Sequence, residues 1–421
     1  MSLDRTATAP APWRWQTLMA APHRLAFFSA AVVMSAAALW WAHELVGRAT
    51  GWFAPSAAVP NTFVHALVMS LGFMPLFFCG FLFTAGPKWL QMPEVTAPQV
   101  RGPVTALTVG WLAVLAGGHL HHLLAAAGAL VATVGWSLLT WRFWALVRHS
   151  KARDRVHAKV IAVASSLGAV WMLLGALGLG SMHLEWVRWA ALAGLWLFIA
   201  PVYVTVAHRM IPFFTASALP VLDAWRPFWL LWSLLAALGL QGLWLVLDTL
   251  GWSTTPGVAS VRVLTSALTG LGVLALAIRW GLVQSLKVRL LAMLHLGFVW
   301  LGVALCLDAL AVVLHFAGQP AVVLLPLHAL TMGFLGSVLI AMATRVSCGH
   351  GGRTLAADDL AWALFWVLQG AVLLRLVAVV WTEGAPWVLV AASVAWLAAV
   401  GGWSVRYGRW FGRPRLDGRP G

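Results

Sequence analysis

Twelve apolar runs, each close to twenty residues long, leave this chain very little choice of fold. They lie near 25–46, 62–85, 104–123, 126–148, 158–180, 186–208, 228–248, 259–280, 289–315, 322–344, 359–382 and 386–405. An α-helix needs ~20 apolar residues to cross the ~30 Å hydrocarbon layer, whereas a barrel strand needs only ~10 and alternates strictly. Inside lipid the backbone must satisfy its own polar groups, so runs of this length read as helices. Composition agrees: 62% of the 421 residues are hydrophobic and 9% are charged, where soluble domains carry about a quarter charged residues. The fold class expected is therefore an all-α polytopic membrane protein, one bundle of about twelve transmembrane helices. The run starting at Leu25 is too long for the core of a signal peptide and is read as a retained first span.

Basic residues orient the bundle, because cytoplasmic segments collect Lys and Arg. Arg5, Arg14 and Arg24 precede the first span, Lys88 and Arg101 separate the second and third, and Arg148 to Lys159 follow the fourth. Arg209, Arg226, Arg279, Lys287, Arg289, Arg345 and Arg353 fall on that same side, as does the tail from Arg406 to Arg419. The opposite side keeps only Arg48, Arg188 and Arg262. This bias predicts cytoplasmic N- and C-termini. It also accounts for the net charge of +15 without nucleic acid, which is excluded as a partner; membrane lipid is the surrounding expected. The organisation expected is a cytoplasmic segment at 1–24, a membrane domain at 25–405 and a basic cytoplasmic tail at 406–421. Cys79, Cys306 and Cys348 form no CxxC pair and no disulfide framework. Tryptophan is abundant, and Trp40-Trp41, Trp52, Trp186, Trp189 and Trp387 near span ends suit interfacial belts.

With direction set, the histidines sort by depth. The second and tenth spans run the same way, and His65 and His328 lie about three and six residues into them, ~5–9 Å below the outer interface. Their surroundings share a pattern: "HALVMSLGF" beside "HALTMGFLG". His65/Met69 and His328/Met332 thus stand at i, i+4 on one helix face. Ser70, Gly72, Gly333 and Gly336 nearby would admit another helix or a flat cofactor. A second set lies at the other face: His208 ends the sixth span, His295 enters the ninth, and His350 falls in the turn after the tenth, with Arg209, Arg345 and Arg353. His23, His43, His149, His157, His183 and His315 lie near span ends, where a carbonyl partner accounts for them. The corner His119-Leu120-His121-His122 reads as an exterior turn, with metal binding by His119 and His122 the alternative. Ionisable groups within a membrane are costly and usually functional, and histidines facing each other across a bundle can supply the two axial positions of a haem. Asp308 and Arg375 are also buried by position; they could pair, or Arg375 could hold a haem propionate. There is no Walker loop, GxGxxG or HExxH.

The stretch "HALTMGFLGSVLIAMATRVSCGHGGR" closely resembles the signature of the NnrS family, polytopic bacterial membrane proteins linked to nitric-oxide metabolism. "HALVMSLGFMPLFFCGFLFTAGPKW", "AHRMIPFFTASALP" and "LLAMLHLGFVWLG" resemble its second-, sixth- and ninth-span motifs, in order along nearly the whole chain. The resemblance implies the bacterial inner membrane, a histidine-ligated haem b and copper. It carries over at matching positions only, to His65, His208, His295, His328 and His350, and to Arg209, Arg345 and Arg353. One departure stands out: where the family motif has His and Glu, this chain has Leu67 and Val68, which puts copper in doubt, and Cys348 is a weak substitute. The expectation is a haem between His65 and His328 near the outer face, with His208, His295 and His350 forming a second metal or haem site and the arginines neutralising propionates. The function implied is haem-based, in nitric-oxide response or nitrosative-stress protection. The alternatives are a copper or haem transporter or assembly factor, or a quinol-linked electron-transfer enzyme; no obvious pair of broken helices marks a transporter.

Overall fold

The computed structural model describes residues 12–52, 56–318, 322 and 324–419. Arg5 and the rest of 1–11, residue 323 within the tenth expected span, and the last two residues of the tail lie outside the described residues. Twelve helices are long and apolar enough to cross a membrane: α1 (Pro22–Thr50), α2 (Asn61–Leu90), α3 (Ala97–Leu120), α4 (His122–His149), α5 (Val156–Ser181) and α6 (Leu184–Ala218) in the first half. The second half holds α7 (Phe228–Thr249), α8 (Pro256–Arg279), α9 (Arg289–Phe316), α10 (Leu324–His350), α11 (Asp359–Val380) and α12 (Ala385–Phe411). The described residues contain no strand.

Helix ends differ from the apolar runs at the face where α1 begins and α12 ends. α1 starts inside the segment expected at 1–24, α6 continues to Ala218, α10 to His350, and α12 through Arg406 and Arg409 to Phe411. Hydropathy falls where Arg, Ser and His enter, but these residues remain helical, so the helices outrun the apolar runs. His350 therefore closes α10 instead of lying in a turn beyond it. The two ends of the described chain meet on this face: the Arg24 guanidinium donates to the carbonyls of Phe411 (3.0 Å) and Arg413 (2.7 Å), and the Arg14 amide to that of Gly412 (2.7 Å).

At the far face the α3–α4 corner is a single extended residue, His121, whose Nδ1 accepts the Leu123 amide at 3.1 Å as the N-cap of α4. His119 accepts the Trp40 indole N–H at 2.7 Å, which ties the corner to α1. Behind it the two backbones nearly touch; a Cβ on Gly117 would lie 2.2 Å from the Ala125 amide nitrogen. Only glycine fits there.

Asp308 does not meet Arg375. It accepts from Arg262 Nη2 (2.7 Å), Arg262 Nε (3.1 Å) and the Ser266 hydroxyl (2.7 Å), and Arg262 also pairs with Asp248 (3.0 Å). α8 lies directly against α9, which supplies the nearer partner and leaves Arg375 for another role.

Three spans depart from α geometry by widening into a π turn: Val68–Gly72 in α2, Leu195–Ile199 in α6 and Ala329–Gly336 in α10. A π turn forfeits regular hydrogen-bond geometry and persists mostly at functional places. All three border the same space.

Candidate ligand-binding cavity

That space is a cavity of about 470 Å³ in the half of the bundle away from the termini, within the ~300–1,000 Å³ usual for a small-molecule site. α2 brings His65, Met69 and Ser70 to it, and α10 brings His328, Thr331 and Met332. Both His–Met pairs expected from the i, i+4 spacing face it together. Its remaining walls come from α1, α6, α11 and α12, mostly apolar, with Arg48 and Arg375 as the charged members.

The repeated motif sets both walls. In each helix the histidine comes just before the widened turn, so the following methionine stays on the cavity side while the small residues admit neighbours. Gly333 receives the Trp300 indole and Gly336 the Trp396 indole; a Cβ would lie 2.7 and 2.9 Å from those rings. Trp396 is itself a cavity wall.

The two imidazoles are held differently. His328 Nδ1 lies 3.0 Å from the Leu324 carbonyl; a carbonyl only accepts, so Nδ1 carries the hydrogen and Nε2 keeps the lone pair. His65 stacks on Trp41 with ring centroids 3.9 Å apart and planes 24° apart, and its buried Nδ1 has no hydrogen-bond partner. Arg48 lies over the same indole at 5.4 Å. No carboxylate pairs with Arg375 among the described residues. From the sequence Trp41 reads as part of an interfacial belt and Arg48 as an outer-side charge, not as site residues, although Ala38, Trp41, Leu45 and Arg48 follow the three- and four-residue spacing of one helix face and all line the cavity.

The second set of histidines divides among separate partners. His208 Nδ1 faces His157 Nε2 at 3.0 Å, with His208 Nε2 on the Pro227 carbonyl at 3.1 Å. His295 meets the Thr215 hydroxyl at 2.9 Å, and His350 lies against His23, ring centroids 4.4 Å apart. Equal depth in the membrane does not bring residues of different helix pairs together. The arginines expected beside them rest on aromatic faces: Arg209 on Trp89 (4.8 Å), Arg345 on Phe214 (3.9 Å) and Arg353 on Trp410 (3.9 Å). Arg209 also approaches Asp154 at 3.6 Å, and burial lowers the Arg353 guanidinium from its ordinary value.

Among the described residues no group of three or more His, Cys, Asp or Glu side chains is close enough to hold a metal ion. Leu67 and Val68 are buried core residues, Leu67 packing towards Gly175, and the Cys348 thiol is turned towards the Ala356 carbonyl. These residues do not make a copper site. A haem asks less of the protein, since its ring supplies four ligands and two histidines suffice. The cavity, with two imidazoles, apolar walls and two guanidinium groups, fits one.

Fold and cavity together define a helical membrane protein of twelve spans, with its histidine chamber towards one face. The chain belongs to the NnrS family, the NnrS protein profile matching residues 17–415, and so to a group of membrane proteins related to nitric oxide. A comparison with curated proteins finds no match.

Proposed function

We propose that the cavity holds a haem b, with His65 and His328 as its ligands and Arg48 and Arg375 as partners of its propionates, and that the protein acts in the nitric-oxide response by taking up the gas there. The observation that carries this reading is the convergence of the two histidines, from separate helices, on one apolar chamber of about 470 Å³. Bound there, the haem would supply an iron that takes diatomic ligands.

The chain's own residues prepare that place. His328, hydrogen-bonded through Nδ1, presents Nε2 as the ligand atom, and such a partner both orients a ligating imidazole and raises its basicity. Met69, Met332, Phe73 and Trp396 exclude water. Arg48 and Arg375 meet carboxylates with charge-assisted bonds. The surrounding membrane concentrates a small apolar gas beside the bundle.

An absorption spectrum of the detergent-purified protein, oxidised and reduced, tests the reading. Sharp reduced b-type bands are expected, absent from the variant carrying both His65→Ala and His328→Ala, with a shift of the wild-type spectrum on adding nitric oxide. A wild type that takes up no haem when haem is ample, or a double variant with undiminished haem, overturns it.

A further inference from the structure

The two cavity histidines are unequal, and we infer that His328 is the permanent haem ligand while His65 is the exchangeable one, so that gas enters on the α2 side. This rests on the haem reading above and adds which of its two faces reacts.

The difference begins with the second nitrogen of each ring. A ligating histidine almost always donates its other N–H to a carbonyl or carboxylate, and losing that partner costs about 10- to 100-fold in metal affinity. His328 has the partner, the Leu324 carbonyl at 3.0 Å. His65 does not; its Nδ1 is buried with no hydrogen-bond partner. The bond fixes one imidazole as a single tautomer aimed by its own helix. The other ring has no hydrogen bond from Nδ1 to fix its orientation and is held by packing.

What holds it is Trp41. The 3.9 Å centroid distance and 24° tilt make a stacked pair, a contact that holds the ring by its face and calls on neither ring nitrogen. Trp41 therefore gives His65 a resting place beside the cavity wall when it leaves the iron. Space exists for the exchange: Thr62, Ala66 and Met69 border the cavity around His65 with small or flexible side chains. With haem bound, His65 would give up its place to the gas and take it back when the gas leaves, an exchange of one ligand for another with no electron or proton transferred.

The test uses full-length holoprotein in detergent, with His65→Ala, His328→Ala and Trp41→Leu compared with wild type. Three readouts are taken: haem per protein after gel filtration, coordination state by resonance Raman spectroscopy, and carbon monoxide association after flash photolysis. His65→Ala is expected to keep its haem within about twofold, become five-coordinate, bind carbon monoxide at least about tenfold faster, and regain six-coordination with added imidazole. His328→Ala is expected to lose haem occupancy about tenfold or more. Trp41→Leu leaves both ligands in place but removes the resting stack, so carbon monoxide association should slow roughly two- to tenfold. Circular dichroism checks that each variant is folded. Equal haem loss in the two histidine variants, or loss confined to His65→Ala, overturns the inference while leaving the haem reading intact. Carbon monoxide association unchanged in Trp41→Leu overturns the part given to Trp41. A wild type without haem overturns both.

Discussion

Arg375 is the residue whose removal should separate stability from ligand binding. It sits five residues from the far end of α11, lines the cavity, and has no carboxylate partner among the described residues. A guanidinium at the bilayer centre costs about 2.5–3.5 kcal/mol on insertion scales. At ~7.5 Å from the helix end the cost is smaller, about 1–2 kcal/mol. Arg375→Met keeps most of the side-chain volume and removes that charge, so the haem-free protein should be stabilised by about this amount. Haem should bind more weakly, because a hydrogen bond to a charged group contributes about 1.5–3 kcal/mol, equivalent to roughly 10- to 100-fold in affinity. Arg375→Lys should fall between, keeping the charge without the planar fork. The assay pairs thermal unfolding of haem-free protein, followed by tryptophan fluorescence, with haem titration at fixed detergent. Opposite signs in the two measurements are the expected outcome. Unchanged haem affinity together with lower stability would make Arg375 a structural residue and refute the reasoning.

Further outcomes concern the frame around the cavity. Gly117→Ala should destabilise the α3–α4 hairpin by about 1–3 kcal/mol or more, since the added carbon would meet backbone at 2.2 Å; thermal unfolding reads this, and an unchanged midpoint would show that the helices separate freely. Asp308→Asn should lower stability by about 3 kcal/mol, the low end for breaking a buried pair because Arg262 keeps Asp248. A double change to Leu at positions 262 and 308 should recover most of that loss, and no recovery would mean that the pair does more than cancel charge. In the tail, the hydrogen bonds from Arg415 hold the Asp417 carboxyl well below the usual carboxylate range. A depressed carboxylate contributes its stability above the unfolded value near ~3.9 and loses it only as pH falls through the lower folded value. The contact of the Leu416 amide with the Gly351 carbonyl at 3.1 Å should thus keep its hydrogen-exchange protection through pH 4; loss of protection between pH 6 and 5 would contradict this.

The spans were legible because membrane thickness translates directly into run length, and His65 with His328 because repeated spacing and depth both point to one level and one face. Their methionines followed from helix periodicity. Several features were not legible, for definite reasons. Depth along a span fixes height but not the position around the bundle, so His208, His295 and His350 looked like one group although each faces a different helix. For Asp308 the sequence left pairing with Arg375 as one of two alternatives, and only packing, which sets α8 beside α9, supplies Arg262. Helix ends passed unseen where polar residues continue a helix beyond the lipid, as at Ala218 and His350. The π turns leave no mark in hydropathy, because one extra residue per turn is well inside the blur of a twenty-residue window.

The placing of locally unfavourable features is itself an argument for where this molecule does its work. Three arginines elsewhere have partners within the chain: Arg262 two aspartates, Arg209 Asp154 and Trp89, Arg345 Phe214. Around the cavity the opposite holds. Three helices give up regular hydrogen bonding there, and Arg375 faces the space with no carboxylate partner among the described residues. A bundle under selection for stability alone would fill such a space with leucine, and the duplicated His-Ala-Leu pattern shows that two helices instead keep polar groups at the same level. Several such departures gathered around one space are what a binding site requires, because a ligand can bring partners that the chain does not. A planar dianionic cofactor with a metal centre would supply an acceptor for the imidazole lone pairs that face the space, carboxylates for the guanidinium groups, and an apolar face for the methionines and Trp396.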